Sequence, residues 1–185
     1  MSGLSAPVLH GRLGVPYRYV EECASTQRLL DENGTEGATV VAGHQTAGRG
    51  RLGRVWEDVP GRSLLVSVLL RPSSPMPLWP ELSLVAGEAV ARAVGGGAVV
   101  SHPNDVMIEG RKVAGVLPEA TRGRVVLGIG VNVNHTEDEL PRETVKPPTS
   151  LRIELGREVD RAELLAAVLL ELERGYDAWD ARYRR

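Results

Sequence analysis

Phenylalanine is missing from this chain of 185 residues, and cysteine occurs once, as Cys23. One thiol cannot close an internal disulfide, and such sparing use fits a reducing compartment. Without phenylalanine the core has to be aliphatic, built from leucine, valine and alanine. No stretch approaches the roughly 20 apolar residues of a membrane span. The opening Met1-Ser2-Gly3-Leu4-Ser5 lacks the charged start and apolar centre of a secretory leader. Charge of neither sign dominates: 22 Lys and Arg against 24 Asp and Glu leave a net charge of -2, which argues against a dedicated nucleic-acid binder. There is no repeat at solenoid or propeller period and no low-complexity linker. These absences lead us to expect a cytoplasmic protein of one domain, with neither membrane nor DNA as a partner.

What the chain does have is glycine interleaved with arginine. Gln45-Thr46-Ala47 leads into Gly48-Arg49-Gly50-Arg51-Leu52-Gly53-Arg54-Val55-Trp56. Glycine lets the backbone take positive φ and approach a ligand closely, and the arginines supply planar, permanently charged donors suited to phosphate or carboxylate. Gly48, Gly50 and Gly53 also satisfy the dinucleotide-binding pattern G-x-G-x-x-G, which needs a strand before it and a helix after it. The second condition fails, because residues 55–61 have no helical apolar period and end in Pro60-Gly61. A solvated basic loop and a mobile anion-binding loop both stay open on this stretch alone.

Along the chain, residues 1–16 read as a loose lead-in rich in glycine and proline. Residues 17–22 read as a strand. A short helix capped by Ser25 or Thr26 should run to about Glu32, with Leu29 and Leu30 as its apolar face, and Asn33-Gly34 should close it. Residues 38–43 form a buried strand that delivers Gln45 and the arginine loop. Residues 63–70 are apolar at nearly every position, which predicts a central strand covered on both faces. The four prolines of 72–80 predict a loop. Leu82, Val85, Ala86, Ala89, Val90 and Ala93 recur at helical spacing up to Gly95-Gly96-Gly97. Val99 and Val100 start a strand that His102-Pro103-Asn104-Asp105 interrupts. Residues 106–108 and 111–117 pair as a hairpin across Glu109-Gly110, and 124–134 form a long strand. Asp160 caps a last helix, whose Leu164, Leu165, Val168, Leu169, Leu172, Tyr176 and Trp179 line one face and pack on the sheet. The order predicts an α+β fold around a mixed, largely antiparallel sheet flanked by helices.

Three further clusters stand out. Pro103-Asn104-Asp105 sets an amide and a carboxylate on an irregular piece between strands, either an Asx turn or part of a site. Lys112 lies among small and apolar residues, either on the wet face of a hairpin or aimed at a site. Gly128-Ile129-Gly130-Val131-Asn132 places two glycines inside a strand, where they often mark a bulge or a ligand pressed on the backbone.

These four clusters, in this order, resemble the catalytic domain of biotin protein ligases. That family's signature is a G-R-G-R-x-G-R-x-W loop, a W-P-N-D segment, an x-R-K-x-A-G-x-L-x-E hairpin and a G-x-G-x-N strand. Here they stand at Gly48 to Trp56, His102 to Asp105, Gly110 to Glu119 and Gly128 to Asn132. Ser25-Thr26-Gln27 is similar to the family's S-T-N, and the resemblance runs from about Tyr17 to Trp179.

The resemblance implies the biotin-lipoate ligase fold, which is like that of class II aminoacyl-tRNA synthetases. It implies a two-step reaction with biotin, ATP and Mg2+. The carboxylate of biotin attacks the α-phosphorus of ATP, pyrophosphate leaves, and the resulting biotinoyl-5′-adenylate is attacked by a lysine of a biotin carboxyl carrier protein, with AMP leaving. The carrier would belong to acetyl-CoA carboxylase or another biotin-dependent carboxylase. By this match Arg51, Lys112 and Asp105 are catalytic. Ser25, Thr26, Gln45, Gly48, Arg49, Arg51, Lys112, Gly115, Gly128 and Gly130 bind biotin. Arg49, Arg51, Trp56, Asn104, Lys112 and Asn132 bind ATP or the adenylate, with Trp56 as a lid, and residues 48–56 fold over the intermediate to keep water out. No metal ligand is assigned. Relatives also suggest a homodimer.

The chain departs from the pattern at Ser101-His102, where the family has Lys-Trp, so a cation and an indole are missing beside the site and His102 is expected to pack. The N-terminal helix-turn-helix and the C-terminal SH3-like barrel of the family are expected to be absent from residues 1–185. Two rivals are a lipoate or octanoate ligase or transferase of the same fold, the transferase needing a cysteine nucleophile, and a non-catalytic biotin or adenylate binder.

Overall fold

The computed structural model describes residues 3–121, 123–142 and 144–183. Seven strands, β1 Tyr17–Cys23, β2 Thr39–Gln45, β3 Ser63–Leu70, β4 Val99–Ser101, β5 Asp105–Ile108, β6 Arg111–Thr121 and β7 Arg124–Asn132, form one sheet in the order β1-β2-β3-β7-β6-β5-β4. Only the β1/β2 pair is parallel; every other neighbour runs antiparallel. This is the mixed, largely antiparallel α+β sheet expected from the sequence.

The sheet has two unlike faces, set by the alternation of side chains along each strand. Leu64, Val66, Val68 and Leu70 of β3 and Val125, Leu127, Ile129 and Val131 of β7 join one core with the helices α1 Leu82–Val94 and α3 Arg161–Ala181. The opposite face carries Ser63, Leu65, Ser67 and Leu69 of β3 across from Asn132, Gly130, Gly128 and Val126 of β7. Its apolar end is a small cluster of Leu30, Ala38, Val40, Leu69 and Val126, and the rest is open ground for a site. All eight residues of β3 are buried, as a strand covered on both sides must be.

Both helices begin and end where their local chemistry dictates. The Asp160 carboxylate accepts from the backbone N–H of Ala162 and Glu163, at 2.7 and 3.1 Å, and so satisfies two of the orphan donors of the first turn of α3. Gly95, at φ 65, closes α1 by donating from its N–H to Ala91 O. The seven apolar residues predicted for one face of α3 are all buried. That face packs against α1 as well as the sheet, and Trp179 Nε1 donates to Glu81 Oε2 at 2.8 Å.

Several expectations change. Residues 3–16 are not loose: Leu4 and Leu13 are each 1% exposed, Tyr17 donates its hydroxyl to Leu4 O, and Leu13 N–H reaches Glu173 Oε2 of α3. Two leucines nine residues apart leave no period for a reader to find. The helix expected from Ser25 to Glu32 is a single 3-10 turn, Thr26–Leu29. Ser25 flanks it without a capping bond, and it buries Thr26 and Gln27. The proline-rich stretch contains a 3-10 turn, Met76–Glu81, that runs into α1 and buries Trp79. A short helix unforeseen in the sequence, α2 Leu151–Leu155, is capped by the Ser150 hydroxyl, which accepts from Ile153 N–H. The last long strand ends at Asn132, not Asn134. Among the described residues no helix is long and apolar enough to cross a membrane.

Candidate active site

The open face of the sheet carries a cleft of about 650 Å³, within the range of small-molecule sites. Its floor is made by the strand glycines. A methyl group at Gly128 would sit 2.9 Å from Gln27 Cδ, and one at Gly130 would sit 2.7 Å from Trp56 Cε2. An added side chain would have to push Gln27 or Trp56 aside, because these two side chains lie directly on the backbone of the sheet. Trp56 is therefore laid against the floor and does not cap the opening as a lid. Its Nε1–H is buried without an acceptor among the described residues, the kind of unpaired donor that a ligand oxygen or a water satisfies.

Lys112 reaches this face through a bulge. In the β5/β6 pair Asp105 lies opposite Gly115 and Val106 opposite Ala114, but Met107 lies opposite Lys112, so Val113 is an extra residue. In a regular strand residues 112 and 115, three apart, would point to opposite faces. The extra residue shifts the phase, sends Val113 into the core with α1 and α3, and turns Lys112 towards Asp105 and Gly115. The turn that joins the two strands has Glu109 and Gly110 at φ 49 and 74, as a tight two-residue hairpin requires.

Asp105 is the electrostatic centre of the site. Its carboxylate lies 2.8 Å from Lys112 Nζ through Oδ1 and 2.7 Å from Lys146 Nζ through Oδ2. Burial pushes the Asp105 carboxyl up, but the hydrogen bonds and charges of the two ammonium groups more than reverse this and hold it below its ordinary range. Asn104 is fixed beside it: its Nδ2 donates to Val116 O, and its Oδ1 accepts from Arg51 Nη1 at 3.4 Å. Lys112 Nζ also sits 5.6 Å from the centroid of the Trp56 ring, within cation–π range.

The arginine loop is a small hairpin. Arg49 and Val55 form a bridge, Gly50 N–H donates to Arg54 O, and Trp56 N–H donates to Gly48 O. Leu52 and Gly53 turn its tip at φ 59 and 74. Arg49 is held by Glu119 of β6 through two contacts, of 2.5 and 3.0 Å. Arg51 has no carboxylate partner among the described residues. At the other end of the cleft, Gln45 Oε1 accepts from Thr26 N–H and Thr26 Oγ1, and Thr26 Oγ1 lies 2.7 Å from Ser67 Oγ. The Gln45 amide nitrogen is left as a donor for a ligand.

Of the residues predicted for the site, all but Gly48 line this one cleft. Gly48 is buried in the neck of the hairpin, where a methyl group would meet Trp56 O at 2.3 Å, so its task is backbone packing. His102 does not pack as expected; it is exposed on the rim. Cys23 lies outside the cleft. The reading of the sequence matched Gln27 to a motif without giving it a role, and it missed Ser67 and Lys146. Lys146 donates to Ser101 Oγ at 3.1 Å as well as to Asp105, so a cation does stand at the place where Ser101 lacks one. A signal was available, since Lys112 and Lys146 are the only lysines in the chain.

Five cations, Arg49, Arg51, Arg54, Lys112 and Lys146, face the cleft against two carboxylates, Glu57 and Asp105. Such a surplus of positive charge suits an anionic ligand. The cleft has no carboxylate cage for a divalent ion. Among the described residues no three His, Cys, Asp or Glu come together, and both Asp105 oxygens already accept from ammonium groups that repel a metal.

Comparison with known proteins follows the same residues. The biotin/lipoate A/B protein ligase family model matches residues 20–135. The bifunctional ligase/repressor BirA of Bacillus subtilis is 39% identical over 171 residues, covering 85% of this chain and 53% of that protein. The biotin–[acetyl-CoA-carboxylase] ligase of Mycobacterium tuberculosis is 37% identical over 153 residues, covering 78% of this chain and 56% of that protein. The chain thus spans about half the length of these curated relatives. Among solved structures, the biotin protein ligase of Aquifex aeolicus in complex with biotin and ATP superposes with a TM-score of 0.75 at 34% identity, covering 89% of this chain and 71% of that one.

Proposed function

This chain belongs to the biotin/lipoate A/B protein ligase family, and from that premise we propose that it activates biotin with ATP and passes the biotinoyl group to a lysine of a biotin carboxyl carrier protein. The observation that carries the reading is the convergence of Arg49, Arg51 and Lys112, from well-separated parts of the chain, on one glycine-floored cleft. The first step joins two anions, and only cations already in place offset their repulsion without reorganising as the bond forms. Lys112 and Arg51 take the carboxylate of biotin and the α-phosphate, with Asn104 and Asp105 holding the two cations in position. Gln45 and Thr26 meet the polar ring end of biotin, and the ligand lies against Gly115 and Gly130 once the hairpin moves the Trp56 indole off them, with Gly128 leaving room for Gln27 beside it. Trp56 and Asn132 serve the adenylate. Arg49 must leave Glu119 to reach a ligand, so closure of the hairpin over the intermediate exchanges one ion pair for another. Mg2+ would be supplied with the triphosphate, neutralising part of its charge; Asp105, with both oxygens paired to Lys112 and Lys146, does not fit as its ligand.

We take the described residues as one catalytic unit and assign it the ligase reaction alone, without the repressor activity named for the Bacillus protein. A cytoplasmic location and a homodimer fit the same reading; sedimentation tests the second. A transferase working through a cysteine nucleophile is disfavoured. Cys23 lies outside the cleft, and burial pushes its thiol up, away from the reactive thiolate.

The test is incubation of the purified protein with a biotin carboxyl carrier domain, ATP, Mg2+ and, in separate arms, biotin, lipoate or octanoate. Mass spectrometry should find one biotinoyl group on the carrier, dependent on ATP. Labelling in the lipoate or octanoate arm in place of biotin, or none in any arm, would reject the proposal.

A further inference from the structure

The chain carries 22 basic residues, of which only two are lysines, and both lysines end on the same carboxylate. The adenylation chemistry proposed above gives Lys112 a place and leaves Lys146 without one. Lys146 stands on the segment between β7 and α2, past the 3-10 turn Glu137–Glu139 and just before Pro147 and Pro148. Its backbone neighbours are tied to Lys112: Lys112 N–H donates to Pro147 O at 2.8 Å, and Thr149 N–H donates to Lys112 O at 2.8 Å. The Lys146 ammonium is pinned a second time by Ser101 Oγ of β4, at 3.1 Å. It therefore has a fixed position relative to Lys112, from the backbone on one side and a side chain on the other.

The charges show what that position does. Asp105 with Lys112 alone would be a neutral pair, with both carboxylate oxygens free to fold onto one ammonium and quench it. With Lys146 on Oδ2, only Oδ1 is left for Lys112. The trio carries one net positive charge, and Lys112 keeps donors for the cleft. Both lysine side chains are part-exposed, at 29% and 30%, while that of Asp105 is 13% exposed. The carboxylate is buried between two cations that still face the ligand space.

We propose that Lys146 is a positioning residue for adenylation. It holds the second oxygen of Asp105 so that the Lys112 ammonium stays directed at the reacting carboxylate and phosphate. This inference rests on the ligase reading, and one experiment separates the two: biotin-dependent pyrophosphate release, followed with ATP varied, by the parent protein, Lys146→Met, Lys146→Gln, Lys146→Arg, Asp105→Asn and the double variant Asp105→Asn/Lys146→Met.

Lys146→Met should keep the circular dichroism of the parent and lose about tenfold or more in kcat/KM, the scale of one charge-assisted hydrogen bond. The loss should fall in kcat more than in KM, because the charge that Lys112 meets grows in the transition state. Lys146→Arg should recover most of the rate. Lys146→Gln, which keeps a polar end without the charge, should match Lys146→Met and stands in for it if the methionine variant does not fold. In the Asp105→Asn background no carboxylate remains to be shared, so removing Lys146 should cost little more. Parent-like kcat/KM in a folded, charge-free variant would overturn the inference. So would losses that multiply in the double variant, since Lys146 would then act without Asp105. An inactive parent would reject the ligase reading and this inference with it.

Discussion

Gly130 decides how close a ligand and Trp56 can come to the sheet. A methyl group there falls 2.7 and 2.8 Å from two carbons of the indole, a distance at which something must shift, and Trp56 sits on an exposed hairpin able to yield. Gly130→Ala should fold normally and shift the indole of Trp56 off the floor. Trp79 and Trp179 are 4% and 3% exposed in the core, so a red shift of tryptophan emission would report Trp56 alone. Adenylation should fall on the order of a hundredfold through misplacement; unchanged emission with unchanged rate would mean that the floor is not tight. Asp105 makes a second prediction at this scale. Its folded value lies below that of the unfolded chain, so its contribution to stability is present above the ordinary carboxylate value of about 3.9 and is lost as pH falls through the lower folded value. In urea unfolding, the margin of the parent over Asp105→Asn should be constant from neutral pH down to about 5 and should shrink below about 4. A margin that persists at the acid end would show that Asp105 is not an ion-paired carboxylate.

At the scale of elements, the bulge in β6 is the device that makes a site out of a hairpin. Deleting Val113 removes the extra residue and leaves Lys112 two residues before Gly115, so that in the regular strand both still face the cleft. The deletion should therefore keep Lys112 in the cleft and much of the adenylation rate while lowering stability through the loss of a buried valine, as Val113→Ala also should. Adenylation abolished by the deletion in a folded protein, with Val113→Ala near the parent, would contradict this geometry. The elements also differ in how they could be read. α1 and α3 were legible because apolar residues recur over three or more turns and end at Gly95 or begin at Asp160. α2, with five residues, is too short to show a period, and the turn at Thr26–Leu29 buries polar side chains that no hydrophobic pattern marks. The bulge left one trace. Lys112 and Gly115, both assigned to one site, stand an odd number of residues apart in one strand, which a regular strand cannot satisfy.

Over the whole molecule, one face of a seven-stranded sheet carries stability and the other carries the site. The separation is testable. Leu172 on α3 is fully buried on the helix side, and Leu172→Ala should cost about 2–5 kcal/mol of unfolding free energy while leaving the KM for biotin near that of the parent at temperatures where the variant stays folded. A raised KM with normal stability would contradict the two-face division. The fold class was legible in the order of strand and helix patterns, and the convergence of the arginine loop with the hairpin lysine was legible only through the resemblance of four motifs, in order, to one family. Lys146 was hidden because its partners, Ser101 and Asp105, stand more than forty residues away, and proximity across a sheet is not written in sequence spacing. The central claim, that Lys112 and the loop arginines serve one reaction in this cleft, is tested most directly by biotin-dependent pyrophosphate release from ATP, measured for the parent and Lys112→Ala at matched circular dichroism. The account predicts steady release by the parent and a loss of at least about a hundredfold in the variant, from a charge removed where two anions meet; equal release by both would contradict it.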